Sequence, residues 1–240
     1  MKLKNWRGCS ITILKWYKAE KKCDHVLAII VILICPTQTH SAAEEWRLDK
    51  SKDGINVFSR EYPGSEIREI KAVTQVKSSI DSVIAVIEDI PNSTRLNNVI
   101  VEARIEESSG SGSYKAYSRM TMPWPVKDRD IVSCRKFSLD KETLAVTITD
   151  VACKGLPIKK NLIRMTNFRQ QWRITPLNRG VVNIELIAHS EPGGPIPNWI
   201  INQMSTDIPY QTLQNLKIIS LLEPYASTGL KGIRSQESNR

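Results

Sequence analysis

From residue 99 to residue 189 the chain passes through one strand-length stretch after another, and this succession limits what it can build. Residues 99–107, 114–122, 130–139 and 144–151 each read as a strand, and the cluster SSGSGS makes the first link a hairpin turn. A long irregular connection, CKGLPIKKNLIRMTN, then leads to two more strands, 168–175 and 181–189. Upstream, IREIKAVTQV alternates so that Ile70, Ala72, Thr74 and Val76 share one face, while mostly charged residues hold the other, solvent-facing side. Before it, Trp46 and Leu48 sit in a short amphipathic turn, a strand begins at Ile55, and EYPGSE is a Pro-Gly turn.

Two helices accompany the strands. Ser79 is placed to cap the first, Asp81 favours its first turn, and Ile80, Val83, Ile84, Ile87 and Ile90 recur at helical spacing until Pro91. That stripe reads as core. The second helix, GGPIPNWIINQMSTDIPYQTLQNLKIISLL, is started by prolines and carries Ile196, Ile200, Met204 and Ile208 at a spacing of four, then Leu213, Leu216 and Leu221. The resulting class is α+β, a curved antiparallel sheet wrapped around a long C-terminal helix. With 240 residues, 41% of them hydrophobic, the chain has material for one core, and it shows no internal repeat.

The formal net charge of +9 invites a nucleic-acid reading until the charge is located. The first 43 residues read as an export signal: a basic stretch, the apolar run VLAIIVILIC, and a small-residue cleavage site at Ser41-Ala42-Ala43. The run is short for a membrane span, although retention of the segment uncleaved as an anchor is the alternative. Cleavage removes seven Lys/Arg and two acids, so +9 falls to +4 and a nucleic-acid partner is not expected. It also leaves Cys134 and Cys153 as the only cysteines, either a disulfide or two buried thiols, and His189 as the only histidine. One histidine and two distant cysteines are too few for a zinc site or a Cys/His nucleophile, and G-x-S-x-G, P-loop and G-x-G-x-x-G patterns are missing. No catalytic residue, metal ligand or cofactor is therefore expected. The folded domain is placed at residues 44–225, with a disordered tail over 226–240.

The strand faces suggest an interior with room in it. Tyr114, Ala116, Ser118, Met120 and Met122 share the inward face of one strand. In the next, Ile131, Ser133 and Arg135 share a face, while Asp130, Val132, Cys134 and Lys136 share the other, so either choice buries charge. An inward Arg135 is expensive in a solid core and tolerable in a cavity that holds a polar headgroup; otherwise it snorkels from a strand end. Between these strands lies MPWPVKDRD, where Pro123 and Pro125 fix the backbone on both sides of Trp124.

Two tracts, WPVKDRD (124–130) and HSEPGG (189–194), together resemble the START (steroidogenic-acute-regulatory-related) lipid-transfer domains, especially bacterial members, and NVFSREYPGSEIREIKAVTQV extends the likeness. The resemblance implies a helix-grip fold with one lipid in a tunnel between sheet and C-terminal helix. It implies that 122–129 is a loop over the tunnel entrance, with Pro123, Trp124 and Pro125 either presenting the indole to a membrane or plugging the core with it. Asp128, Arg129 and Asp130 then read as salt bridges fixing the loop, and His189 as a strand-end hydrogen-bonding residue. Two departures stand out. Sterol-binding members pair a tunnel arginine with an acid on the preceding strand, but that position is Ala116, so the charge pair is expected to be absent. PNSTRLNN replaces the Y-P-x-W found in many bacterial relatives. The expected lining is Tyr114, Met120, Met122, Ser133, Arg135, Ile200 and Met204. The expected activity is binding and transfer of a phospholipid, fatty acid or sterol-like ligand by a monomer touching membranes transiently. An aromatase/cyclase-like enzyme of the same fold and a ligand-sensing regulatory module are the alternatives.

Overall fold

The alternation of residues 70–76 becomes the middle of the longest strand in the sheet. In the computed structural model, which describes residues 45–108 and 113–227, this is β3 (Ser65–Lys77), with Ile70, Ala72, Thr74 and Val76 all buried. The expected export signal (1–43), the centre of the Ser/Gly turn (109–112) and the tail beyond 227 lie outside the described residues.

The chain enters β1 (Arg47–Lys52), β2 (Ile55–Tyr62) and β3, then α1 (Ile80–Glu88) and a 3-10 turn (Ile90–Arg95). It continues through β4 (Ile100–Ser108), β5 (Tyr114–Met120), β6 (Arg129–Leu139), β7 (Val146–Ala152), the short β8 (Ile163–Arg164), β9 (Asn167–Pro176), β10 (Val181–Glu191) and α2 (Asn198–Ile219). Neighbours in the sheet run β1-β2-β3-β10-β9-β7-β6-β5-β4, all antiparallel, and β8 lies parallel on β6 beside Arg129 and Asp130, where β7 has already ended. Helix α2 packs on β2 and β3, and α1 on β9 and α2. This is the helix-grip arrangement expected from the sequence.

Local chemistry accounts for two of the element ends around the site. The Ser79 hydroxyl accepts a hydrogen bond from the Ser82 N–H at 3.0 Å, satisfying one of the orphan donors of α1. Thr121 leaves the β5 register by donating its N–H to Val99 O at 2.8 Å, which ends β5 before Met122. Three expectations are corrected. Residues 47–52 form an edge strand rather than a turn, and the Trp46 ring lies 4.4 Å from both the Arg60 guanidinium and the Lys71 ammonium. Helix α2 ends at Ile219, so Leu221 falls in the following turn and is 55% exposed. Ala226 and Ser227, assigned to the tail, belong to a turn in which the Ala226 N–H donates to Leu222 O at 3.0 Å. Cys134 and Cys153, left open by the sequence, form a disulfide.

The solid core lies around the C-terminal half of α2. Leu213 and Leu216 are completely buried and belong to one cluster with Ile55, Val57, Ile174 and Ile184. Polar contacts hold this half in place: Tyr210 donates its hydroxyl proton to Asp53, Lys217 Nζ donates to Asp53 O at 3.0 Å, and Asn215 Nδ2 donates to Leu96 O at 3.1 Å. Leu213→Ala should therefore cost about 2–5 kcal/mol, whereas Leu221→Ala should stay within about 0.5 kcal/mol. Urea unfolding measures both, and equal losses would contradict this position for the core.

Candidate functional site

Toward its N-terminus, α2 stops filling the space under the sheet. Ile200, Met204 and Ile208 face a cavity of about 560 Å³. Its opposite wall comes from the inward positions of β5, β6, β9 and β10, which follow from strand alternation: Ala116, Ser118 and Met120 on β5, Ile131, Ser133 and Arg135 on β6. The choice that the sequence left open on β6 is thus settled with Arg135 inside.

Strand register places one polar row across this wall. Tyr114 pairs with Arg135, Arg135 with Asp150, Asp150 with Gln170, and Gln170 with Ala188. Arg135, Asp150 and Gln170 line the cavity beside Trp172, Leu186 and Ile87, which also belong to the core cluster, so the row marks the closed end. The other end is bounded by Met122 and the exposed Pro123.

Arg135 is 5% exposed, and a guanidinium there needs partners. It donates from Nε and Nη2 to the two Asp150 carboxylate oxygens at 2.7 and 2.8 Å. From Nη1 it donates to Ile87 O at 2.9 Å, Glu88 Oε1 at 2.7 Å and the Tyr114 hydroxyl oxygen at 2.9 Å. Burial disfavours its charge, but the bonds and charge of Asp150 more than offset this, and its pKa lies above the ordinary arginine value. Burial pushes the Tyr114 hydroxyl up, opposed in part by Arg135. Two carboxylates around one guanidinium leave the cluster with a negative charge in excess.

This arrangement corrects two expectations. The acid expected to be missing beside Arg135 is supplied by β7, the strand after it, instead of the strand before it. Tyr114 does not line the cavity; its ring stands 5.4 Å from the Arg135 guanidinium and its hydroxyl donates to Glu88 Oε1 at 3.2 Å. The remaining six expected residues, Met120, Met122, Ser133, Arg135, Ile200 and Met204, are brought together around one space.

Around the mouth, Pro123 lines the cavity while Trp124 is 92% exposed, which removes the core-plug reading of the indole; Pro125 is exposed beside it. Asp128 Oδ1 accepts the Met122 N–H at 3.0 Å, closing the loop on itself. Arg129, fully buried, makes no salt bridge among the described residues: it donates to Lys127 O, to Pro192 O at 3.2 Å and to Gly193 O at 2.8 Å. Burial lowers its pKa, against the pull of Asp128. Asp130 instead pairs bidentately with Arg164 at 2.8 and 2.9 Å. His189 is not a hydrogen-bonding strand end. Its neighbours Ala188 and Ser190 line the cavity, so it lies on the outer face, where its ring stacks on Tyr62 at 3.7 Å between centroids and Nε2 stands 3.6 Å from Glu191 Oε1.

Asp150, Gln170, Glu88 and Arg164 were missed by sequence reasoning. A signal existed for Asp150: in VTITDVA it falls on the inward parity of the buried Ile148, where a lone acid demands a buried partner.

Over residues 37–215 the sequence matches the START domain. The chain belongs to the START-domain family. It is 26% identical, over 191 residues, to an uncharacterized protein of Pseudomonas aeruginosa, covering 80% of this chain and 94% of the other. It is 24% identical over 163 residues to the phosphatidylcholine transfer protein of Rattus norvegicus, covering 66% of this chain and 75% of that protein. Among solved structures, a STAR-related lipid transfer protein from Xanthomonas axonopodis superposes with a TM-score of 0.67 at 27% identity, covering 74% of this chain and 99% of that one. The human StAR-related lipid transfer protein 5 shares the fold, with a TM-score of 0.68 at 13% identity over 75% of this chain and 88% of its own.

In this START domain Arg135→Leu strands Asp150 in the interior and should cost about 3–5 kcal/mol. The double replacement Arg135→Leu with Asp150→Leu should recover much of that loss. Thermal or urea denaturation of both variants measures the difference, and a single variant as stable as the wild type would show that the pair is not a buried one.

Proposed function

We propose that this START-domain protein holds one lipid in its cavity, polar end inward, and exchanges it at a membrane surface. The observation that carries the reading is the charged row that closes the cavity. Met120, Met122, Ile131, Ile200 and Met204, with scattered uncharged groups such as Ser118 and Gln203 and with Arg68, line the rest of the space, and Arg135 and Asp150 meet Ser133 and Gln170 at the closed end. An amphipathic ligand fits that order. A volume of about 560 Å³ falls within the range of roughly 300–1,000 Å³ common to single-ligand sites. Burial of each methylene contributes about 0.8 kcal/mol, so affinity comes from the tail and selectivity from the closed end.

The closed end supports a neutral inner group. A fatty-acid carboxylate or a phosphate would find Arg135 already saturated by Asp150 and Glu88 and would face the Asp150 carboxylate. A hydroxyl or amide finds the Ser133 hydroxyl and the Gln170 side chain among the lining groups. The names of two relatives, which describe lipid or phosphatidylcholine transfer, support the general activity.

Binding is proposed ahead of catalysis because the acids nearest the cavity are engaged with Arg135, which leaves no poised acid–base pair there. We also propose that the protein acts outside the reducing cytoplasm, as an exported monomer: the Cys134–Cys153 disulfide accords with an oxidising compartment and with the signal-like first 43 residues. No helix among the described residues is long and apolar enough to cross a membrane.

Native mass spectrometry of protein purified without detergent, followed by extraction, should give one lipid per chain with no free anion at its inner end. Ala188→Trp and Met204→Trp fill the cavity from opposite walls and should abolish the adduct while leaving the circular dichroism unchanged. Retention of the ligand by both variants would place it elsewhere, and a fatty acid as the native cargo would overturn the neutral-end assignment.

A further inference from the structure

Between β7 and β9 the chain forms a strap, residues 153–165, over the outer face of β5 and β6, with Lys159 Nζ 4.7 Å from the Tyr117 ring. It is fastened at both ends. At the start, Cys153 is bonded to Cys134 and its N–H donates to Val132 O at 2.8 Å. At the finish, Ile163 N–H donates to Asp128 O at 3.0 Å, Met165 N–H donates to Asp130 O at 2.9 Å, and Arg164 grips Asp130. The same guanidinium reaches back to the middle, donating to Leu156 O and Pro157 O, each at 3.2 Å.

This bracing holds an apolar side chain away from the protein. Ile158 is 67% exposed, follows Pro157, precedes the exposed Lys159 and Lys160, and lies four residues after the exposed Lys154. From residue 151 to 166 there is no acid. Among the described residues Lys159 pairs with Glu102, at 3.9 Å. Through Asp128 the strap is bonded to the base of the 122–128 loop, which adds the exposed Lys127 and Trp124. Fixed apolar tips amid lysines gain nothing from water. At an anionic bilayer the lysines meet headgroup charge while Ile158 enters the interface, with no further ordering of the loop needed.

We propose that the 153–165 strap is a docking surface for an anionic lipid bilayer, with Ile158 as its apolar contact and Lys154 and Lys160 as its charge contacts. The proposal rests on the lipid-exchange reading for its purpose but not for its physics. Lysines alone would also suit a nucleic acid, but a protruding isoleucine would contribute nothing there, which favours the bilayer.

The test compares full chains, wild type and variants, for co-sedimentation with vesicles of phosphatidylcholine alone or mixed with phosphatidylglycerol. A lysine near an anionic surface is worth about a factor of five. Lys154→Gln with Lys160→Gln should therefore lower partition onto the mixed vesicles by roughly twentyfold, with little change on phosphatidylcholine, and added salt should shrink the difference. Ile158→Ser should weaken partition onto both. The replaced side chains are exposed, so folding is retained, and circular dichroism checks it. Variants that partition like the wild type overturn the proposal, as does strap-dependent retention of RNA by a protein that ignores vesicles. Loading of a fluorescent fatty alcohol without vesicles is read in parallel. Chains that load but do not dock overturn the docking alone; chains that dock but do not load overturn the lipid-holding reading alone.

Discussion

A guanidinium cannot remain by itself inside a protein, and the architecture around the cavity follows from how Arg135 is accommodated. Asp150 takes two of its donors from the next strand, while Ile87 O and Glu88 take others from the C-terminal end of α1. One side chain on β6 therefore fixes β7 and α1 at once. It does so where the packed cluster of Trp172, Leu186 and Ile87 gives way to open space. An apolar residue at position 135 could let that cluster grow upward into the cavity. The ion pair prevents this, because its atoms must keep polar partners and cannot be overlain by core.

Two further buried arginine contacts organise the mouth, and they explain why a stretch as charged as VKDRD forms structure instead of a solvated turn. Arg129 and Asp130 are adjacent on β6 and point to opposite faces, as alternation requires. Arg129 meets the carbonyls of Pro192 and Gly193, so WPVKDRD and HSEPGG, separated by some sixty residues in sequence, become one joint. Gly194 is part of the fit: its φ of +65° lies in the left-handed region, and a Cβ there would stand 3.1 Å from the Ile163 side chain. Asp130 faces outward to Arg164 and anchors the strap. Loop, strap and Pro-Gly-Gly turn thus share a single residue pair as their common root.

Much of this was legible in the sequence, and the boundary of what was legible has a physical cause. Alternation and helical spacing are local properties, so β3, α1 and the lining residues Met120, Ser133, Ile200 and Met204 could be read directly. Pairing across strands is not local. Arg135 was visible as a problem, but its solution lay on Asp150, fifteen positions away, and depended on the register of β6 against β7. Assignment of Tyr114 to the cavity failed for the same reason: its parity was right, yet Arg135 and Glu88 claim its hydroxyl. His189 belonged to a matched motif, but its place was set by the Tyr62 ring brought in from β2.

The division of α2 ties these threads to exchange. Its C-terminal half is bonded to Asp53 and Leu96 and buried through Leu213 and Leu216. Its N-terminal half rests on the cavity; two of its side-chain bonds are internal, Ser205 Oγ to Ile201 O at 2.8 Å and Thr206 Oγ1 to Asn202 O at 3.0 Å, and a half-exposed ion pair, Lys50 Nζ to Asp207 Oδ1 at 2.8 Å, ties it to β1. Between the halves stands Pro209, which lacks the N–H that would bond one turn back. Local opening follows the distribution of buried contacts, so the mouth can open at the N-terminal half of α2 without loss of the core below. In the proposed exchange, the Arg135-pinned closed end is where the ligand would be selected, and the upper half of α2, once Lys50 releases Asp207, is where it would be admitted.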